Sequence, residues 1–303
     1  MSADRRMSLA ETLMQDRLDP LLIAMRPRLH RYCARMVGSV IDGEDIVQEA
    51  LIKAVQAWPG AAPVAQPEGW LLRIAHNTAL DFLRRRSRIH ALRPIEEAEL
   101  IADGNDVTAQ REMARLGLRL FMQLSVGQRG SVILIDVLGC TPQEVCEITG
   151  MSLSAVKAAL HRGRARLREL AAAPDEVPQA ALAPADRERL TAYAARFNAH
   201  DFDAIRAMVA DDVRLDLVGR TRMRGKAEVS RYFGNYVRAA DWRLVPGLVE
   251  GRRALLVLDP RQQNAAPGYF MLLDWAADKV AAIRDFRHAA YVIDGAAYQL
   301  SAH

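Results

Sequence analysis

A low-complexity stretch past the middle of the chain, AAAPDEVPQAALAPA at residues 171–185, constrains the fold more than any other feature. It is rich in alanine and proline and lacks apolar periodicity, which reads as a linker. Before it, apolar residues recur at helical spacing; after it, helical patterns give way to short β-rich runs. Modules of two different classes must lie on either side. The 303 residues leave room for two or three domains of about 100–200 residues each. Half of the residues are apolar, enough for real cores. No stretch approaches the ~18 uninterrupted apolar residues of a membrane span. Met1 to Asp19 is charged and has no apolar signal-peptide core, so the expected location is cytoplasmic.

The first half reads as helices. Leu18, Leu21, Leu22, Met25 and Leu29 mark one, a Gly38–Gly43 break follows, and Ile46, Val47, Ala50, Leu51, Ala54 and Val55 form the apolar stripe of a second. Asp42, Glu44 and Asp45 precede that stripe, where acids favour the positive end of a helix dipole. Pro59 to Pro67 must interrupt the pattern. A third helix, about Glu68 to Arg88, carries Trp70, Leu71, Ile74, Ala75, Leu80 and Phe82 and ends in a basic run. Trp70 is expected to pack in the core. Met113, Leu116, Leu120 and Leu124 form a further face, and Val132, Ile133, Ile135 and Leu138 another, closed by Gly139. Thr141, Pro142 and Glu144 fit an N-cap, a first-position proline and a capping-box acid. Gly150 then turns the chain into a last helix from about Ser154 to Leu170.

The net charge of +4 says less than its distribution. Residues 68–93 carry six arginines against Glu68 and Asp81, residues 94–112 carry six acids against Arg111, and residues 151–170 are basic again. Two basic helical segments joined by an acidic linker suggest two contacts with a polyanion. Cys33, Cys140 and Cys146 are an odd set without CxxC spacing, so neither a disulfide framework nor a zinc site is expected, and all three read as small buried residues.

Two helices joined by a short turn at Gly150 form a helix-turn-helix, whose second helix enters the major groove. It presents Ser152, Ser154, Lys157, His161, Arg162 and Arg164. The segment Asp136 to Leu167, DVLGCTPQEVCEITGMSLSAVKAALHRGRARL, resembles the fourth conserved region of bacterial extracytoplasmic-function σ factors. Gly43 to Lys53 (GEDIVQEALIK) is similar to the polymerase-binding helix of their second region, and Trp70 to Arg86 (WLLRIAHNTALDFLRRR) to its promoter-melting helix. The two patterns stand in the family's order, and the likeness covers about residues 18–170.

This resemblance implies that Asp45, Gln48 and Glu49 dock the β′ coiled coil of core RNA polymerase, with a further contact to the β flap. It implies that Gln66, His76, Asn77, Asp81, Arg84 and Arg85 handle the −10 element, and that the loop Pro59 to Pro67 captures a flipped base with little more than backbone and Gln66. The acidic linker is either a nucleic-acid mimic or a solvated tether. At the −35 helix, Lys157 offers a point charge and Ala158 and Ala159 only methyl contacts, so modest discrimination is expected. The linker lacks a Trp-Leu-Pro-Glu-Pro-like motif found in some relatives, and a separate anti-σ factor is left open.

Beyond residue 186, the segments Tyr193 to Val213 and Arg224 to Phe233 are similar to the SnoaL-like group of the nuclear transport factor 2-like fold. That resemblance implies an α+β cone with a pocket. Helices are expected at 186–199, 202–210 and from Lys226 to Val237, and strands at 213–218, 242–250, 253–258, 268–275, 279–286 and 289–293. Asp216, Trp275, Asp285 and His288 are the candidate pocket residues, with Asp274 a further acid, and a small ligand could bias the protein there. Fold does not give function, and a regulatory role is favoured over catalysis.

The expected architecture is multi-domain: two all-α DNA-binding domains, the second a helix-turn-helix, then the α+β domain. Its boundaries are 1–93, an acidic linker 94–110, 111–171, an Ala/Pro linker 172–185, and 186–303. The function is that of a σ factor, not an enzyme, with promoter DNA and core polymerase as partners and no cofactor, metal or membrane. A plain helix-turn-helix regulator would have no use for residues 43–53 and 70–86. An enzyme would need an Asp/His pair in a sealed pocket.

Overall fold

The fold is described from a computed structural model, which defines residues 9–58, 66–89, 117–172, 181–234, 236, 242–262 and 266–301. The chain divides into two compact units, Met1–Asp175 and Glu176–His303. The expectations for the acidic linker 94–110, most of the loop from Pro59, and Met113 and Leu116 fall outside the described residues.

The first unit is all helical. Helix α1 spans Leu9–Val37, α2 Val40–Ala57 and α3 Pro67–Ile89. The expected Gly38–Gly43 break is only two residues wide. Ser39 caps α2 by accepting from the Asp42 backbone N–H at 3.1 Å, and Gly43 lies inside the helix. A Cβ there would stand 2.7 Å from the Ala34 backbone, so Gly43 is the point where α1 and α2 approach closely. Ile46, Val47, Ala50, Leu51 and Ala54 are buried as the stripe predicts. Glu44 is instead fully buried, bonded to Arg26, whose Nε donates to it at 3.0 Å.

The short α4, Leu118–Phe121, leads to α5, Val126–Val132, which continues as one wider turn over Ile133–Val137. Helix α6, Pro142–Thr149, opens on the expected capping box: Thr141 Oγ1 accepts from the Glu144 N–H and Glu144 accepts from the Thr141 N–H at 2.7 Å. Gly150 closes α6 at φ +75°, a conformation cheap only for glycine. Helix α7 spans Leu153–Ala171. Cys33 and Cys140 are buried, whereas Cys146 is half-buried.

The second unit carries α8 (Pro184–Asn198), α9 (Phe202–Met208) and α10 (Lys226–Phe233) with a seven-stranded sheet. Its strands are β1 Val209–Leu217, β2 Thr221–Arg224, β3 Arg243–Val249, β4 Arg252–Leu258, β5 Tyr269–Ala276, β6 Lys279–Asp285 and β7 Tyr298–Leu300. They lie in the order β2-β1-β6-β5-β4-β3-β7, antiparallel except for the parallel pair β1–β6. Val213, Leu215 and Leu217 join Leu190, Tyr193, Phe197 and Phe233 in one core, so alternate positions of β1 face the helices. This is the expected α+β class. The details differ in three places: residues 209 and 210 begin β1 instead of ending a helix, β2 and β7 stand where no strand is expected, and 289–293 lies in 3₁₀ turns, Arg287–Gly295, kinked at Ala289.

Candidate nucleic-acid and polymerase interface

Helix α2 presents a mixed face. Asp45 is exposed, and Gln48 and Glu49 are half-buried. Ile52 and Val55 are 54% and 39% exposed and follow at three- and four-residue steps, so they share that face. Val55 was expected in the buried stripe, but the helix phase turns it outward. Ile52 was not singled out by the sequence. An apolar centre with a polar rim is the makeup of a protein docking surface. Glu49 lies 2.8 Å from Lys53 Nζ and 3.2 Å from Arg85 Nη2. The hydrogen bond from Lys53, more than that from Arg85, holds its carboxyl below the usual range.

Helix α3 carries Arg73, Asn77, Arg84 and Arg88 exposed and Asp81 half-buried. Their spacing places them on one polar face. Asp81 accepts from Arg84 at 3.2 Å, and Gln66, just before the helix, is exposed. Arg73 and Arg88 share this face, although neither is among the residues expected at the −10 element. His76 does not belong to that face. It is 6% exposed, shares a 2.6 Å hydrogen bond with the Tyr32 hydroxyl, and burial pulls its pKa down to about 4. Trp70 is half-buried with its ring 5.6 Å from that of Trp58.

On α7 the expected −35 residues divide. Ser152 is the N-cap, accepting from the Ala155 N–H at 3.2 Å, with its Oγ 3.1 Å from Ser154 Oγ. Ser154 and Lys157 are exposed, and His161 and Arg162 are half-buried. Arg164 points inward: its Nε and Nη2 donate to both Asp136 oxygens, at 2.9 and 2.5 Å, and this bond raises its pKa. In this conformation Arg164 joins α7 to the turn after α5 and is not presented to a phosphate. Leu153, 39% exposed at the head of α7, is an apolar neighbour of Ser154.

Family models match three segments: Sigma-70 region 2 over residues 21–89, Sigma-70 region 4 over 118–167, and a SnoaL-like domain over 190–270. The ECF RNA polymerase sigma factor SigG of Mycobacterium tuberculosis is 28% identical over 290 residues, covering 86% of this chain and 78% of that protein. The sigma factor SigM of the same organism is 32% identical over 152 residues, covering 50% of this chain and 76% of its own. The chain belongs to the ECF RNA polymerase sigma factors. It directs promoter-specific initiation of transcription, with core RNA polymerase and promoter DNA as partners, and the family acts by recognition rather than catalysis. Among solved structures, the sigma factor SigJ of M. tuberculosis aligns with 87% of this chain and 94% of its own at 23% identity and a TM-score of 0.35. No helix among the described residues is long and apolar enough to cross a membrane.

In the SnoaL-like unit of this sigma factor the four candidate pocket residues do not converge. Asp285 is fully buried. Its Oδ2 accepts from Tyr236 at 2.5 Å and Tyr232 at 3.0 Å, and its Oδ1 from the Arg287 N–H at 2.8 Å. Burial, opposed by these bonds, raises its pKa. Asp216 alternates with the core residues of β1, so it lies on the other sheet face, 3.5 Å from both Arg222 and Arg284. Trp275 is half-buried beneath Arg189, 5.8 Å from the ring centre. His288 is exposed, 3.3 Å from Arg220 Nη1. An open groove of about 580 Å³ lies elsewhere, lined by Leu182, Asp186, Arg252, Leu272, Asp274 and Arg284; of the candidate acids only Asp274 reaches it.

Proposed function

We propose that residues 1–93 bind core polymerase and open the −10 element, that 111–171 seat the −35 duplex, and that 186–303 modulate both. The linkers are 94–110 and 172–185. Asp45, Gln48 and Glu49, joined by Ile52 and Val55, dock the β′ coiled coil, and the helix-turn-helix region adds a contact to the β flap. Gln66, Asn77, Asp81, Arg84 and Arg85, with Arg73 and Arg88, hold the −10 strand. Ser154, Lys157, His161 and Arg162 read or clamp the −35 duplex, Lys157 as a point charge on guanine or phosphate.

One observation carries the reading: the exposed acidic–apolar face of α2 lies beside the polar face of α3, the two joined by the Glu49–Arg85 pair at 3.2 Å. A regulator that bound only duplex DNA would have no use for a face that groups Ile52 and Val55 with Asp45 and Glu49, since acids repel phosphate. The SnoaL-like unit is regulatory and non-catalytic. Asp285 already accepts three hydrogen bonds, which leaves it poorly suited to act as a base, and His288 is held near Arg220. A small ligand acts there only if it binds two states unequally.

Run-off transcription from a promoter library, with core polymerase and the chain either whole or ended after Ala173, tests this. Specific transcripts are expected from the whole chain, and truncation is expected to change their yield. Unchanged yield and unchanged polymerase affinity would remove the regulatory role. DNA binding without transcript or polymerase association would remove the rest.

A further inference from the structure

The register at the β2–β1–β6 end of the SnoaL-like sheet gathers arginines on one face. Arg214 of β1 stands opposite Arg224 of β2, and Asp216 stands opposite both Arg222 of β2 and Arg284 of β6. Residues opposite one another, and residues two apart on one strand, share a face. This face is turned away from Leu215, Leu217 and the helices they pack on. Within the group Asp216 is shared by Arg222 and Arg284, at 3.5 Å each. Arg214 and Arg224 are exposed and make no ion pair among the described residues. Acids close by in sequence are engaged elsewhere: Glu228 accepts from the Arg224 backbone N–H at 3.0 Å, and Asp211 lies 3.8 Å from Lys226. Asp212 and Asp274 stand at the margins, the first before the register shift in β1, the second two strands away on β5. At the turn from β1 to β2, Arg220 lies 3.3 Å from the His288 ring.

This arrangement works against the fold. Like charges directly opposite on paired strands destabilise them, and stability alone would favour an acid at 214 or 224, as at 216. The complement of such a face is an external anion. A second copy of the chain is not that complement, because a two-fold contact through this face would set arginine against arginine. Guanidinium groups favour phosphate, which they grip with two parallel N–H donors. Promoter DNA presents one phosphate per about 1.7 Å of duplex axis. Chain connectivity brings the face to it. Residues 172–183 join the end of α7 at Ala171 to the start of α8 at Pro184. Fully extended they span about 45 Å, or about 13 base pairs. A unit tethered so closely to the −35 helix meets the flanking duplex at a high effective concentration. The downstream side of the −35 element leads to the −10 element and its helix, so the open flank is upstream.

We propose that the β2–β1–β6 face of the SnoaL-like unit is a third DNA-contacting surface: Arg214, Arg222, Arg224 and Arg284 hold the phosphate backbone of the duplex just upstream of the −35 element. The proposal rests on the reading of α7 as the −35 helix. Phosphate contacts carry no sequence information, so this surface adds affinity and lengthens the bound stretch of promoter without adding to its code. By counterion release, each such contact is worth about fivefold in affinity near 0.15 M salt.

Fluorescence anisotropy tests this with the full-length chain assembled on core polymerase and two promoter fragments. One fragment begins at the −35 element, and the other continues upstream by about 20 base pairs, beyond the reach of the tether. The double variant Arg214→Ala with Arg224→Ala should bind the longer fragment about 5–30-fold more weakly than the parent, with a salt slope shallower by about 2. It should bind the shorter fragment like the parent. Comparing variant with parent isolates the arginines from polymerase contacts to the same flank. Arg224→Glu guards against misfolding. It sets an acid opposite Arg214, so the unfolding midpoint of the SnoaL-like unit should rise while affinity for the longer fragment falls. Variants with parental affinity and salt slope on the longer fragment would overturn the proposal and leave the −35 reading intact. Variants that change transcript yield at parental DNA affinity would also overturn it, in favour of an acidic protein partner on this face. A parent that binds neither fragment would remove the −35 reading, and this proposal with it.

Discussion

Mild acid should loosen the helical unit through two histidines. His30 is 4% exposed, with its Nε2 2.9 Å from the Val40 carbonyl. Burial, helped by Arg35, Arg26 and Arg31 and opposed by the Val40 bond, lowers its pKa to about 4. Burial alone does the same to His76. A depressed folded-state pKa contributes stability that is present above the unfolded value of 6.5 and is lost as pH falls toward 4. Between pH 7.5 and pH 5 each histidine should cost about 1.9 kcal/mol, and the pair about 4, against a total of about 5–15 for a domain. The carboxylates held low by their partners, Glu49 and Glu144, lose their contribution only below their unfolded values of 4.5, so the window above pH 5 belongs to the histidines. Asp285, whose pKa is raised, acts with the opposite sign and in the other unit.

The assay is urea unfolding at several pH values between 5 and 7.5. Trp58 and Trp70 report on the helical unit in a chain carrying Trp242→Phe and Trp275→Phe. His30→Gln and His76→Gln should each remove about half of the acid loss. His30 sits between α1 and α2, and His76 between α3 and the Tyr32 hydroxyl of α1. NMR midpoints near 6.5 for both native histidines, or an unchanged acid loss in the double variant, would refute the reasoning.

Three further outcomes follow from the same structure. Asp136→Ala or Arg164→Ala leaves a buried charge unpaired and should cost about 3–5 kcal/mol in urea unfolding, while the paired change to Leu and Met should cost far less. Gly43→Ala forces a methyl to within 2.7 Å of the Ala34 backbone and should cost about 1–3 kcal/mol as overpacking, read by thermal unfolding. Lys157→Ala should weaken binding to −35 duplex with a salt slope shallower by about 1, measured by fluorescence anisotropy, whereas Ser152→Ala should chiefly lower helix stability by about 1 kcal/mol.

The helical unit was legible where the code is local. The Thr141–Glu144 capping box and the αL glycine at 150 rest on residues three to nine apart, and both are present as read. The α1–α2 junction was misread because Gly43 looks like a chain break when its role is to admit Ala34. Buried charges were illegible for the same reason. Glu44 meets Arg26 and Asp136 meets Arg164 across 18 and 28 residues, and nothing near either acid marks it as interior. The arginine run ending α3 and the one in α7 look alike in sequence, yet one stays outside while Arg164 turns in.

The second unit shows the limit more sharply, because a strand borrows its identity from its neighbours. Thr221–Arg224 is polar enough to read as a turn, and becomes β2 only because Asp216 and Leu217 lie opposite Arg222 and Thr221. The run from Ala289 to Ile293 is short, so periodicity could not distinguish strand from helix; it forms 3₁₀ turns kinked at Ala289, with Ala289, Val292 and Ile293 buried. The candidate pocket acids show the same limit. Asp216 and Asp285 are candidates through the SnoaL-like resemblance alone, and register pairs Asp216 with Arg284 and Leu217 with Asp285. One residue of offset sends a strand's side chains to opposite faces, so the two carboxylates are separated by the sheet itself. What could be read from sequence was which chemistry each segment carries. Which side chains meet is set by packing between segments far apart in the chain.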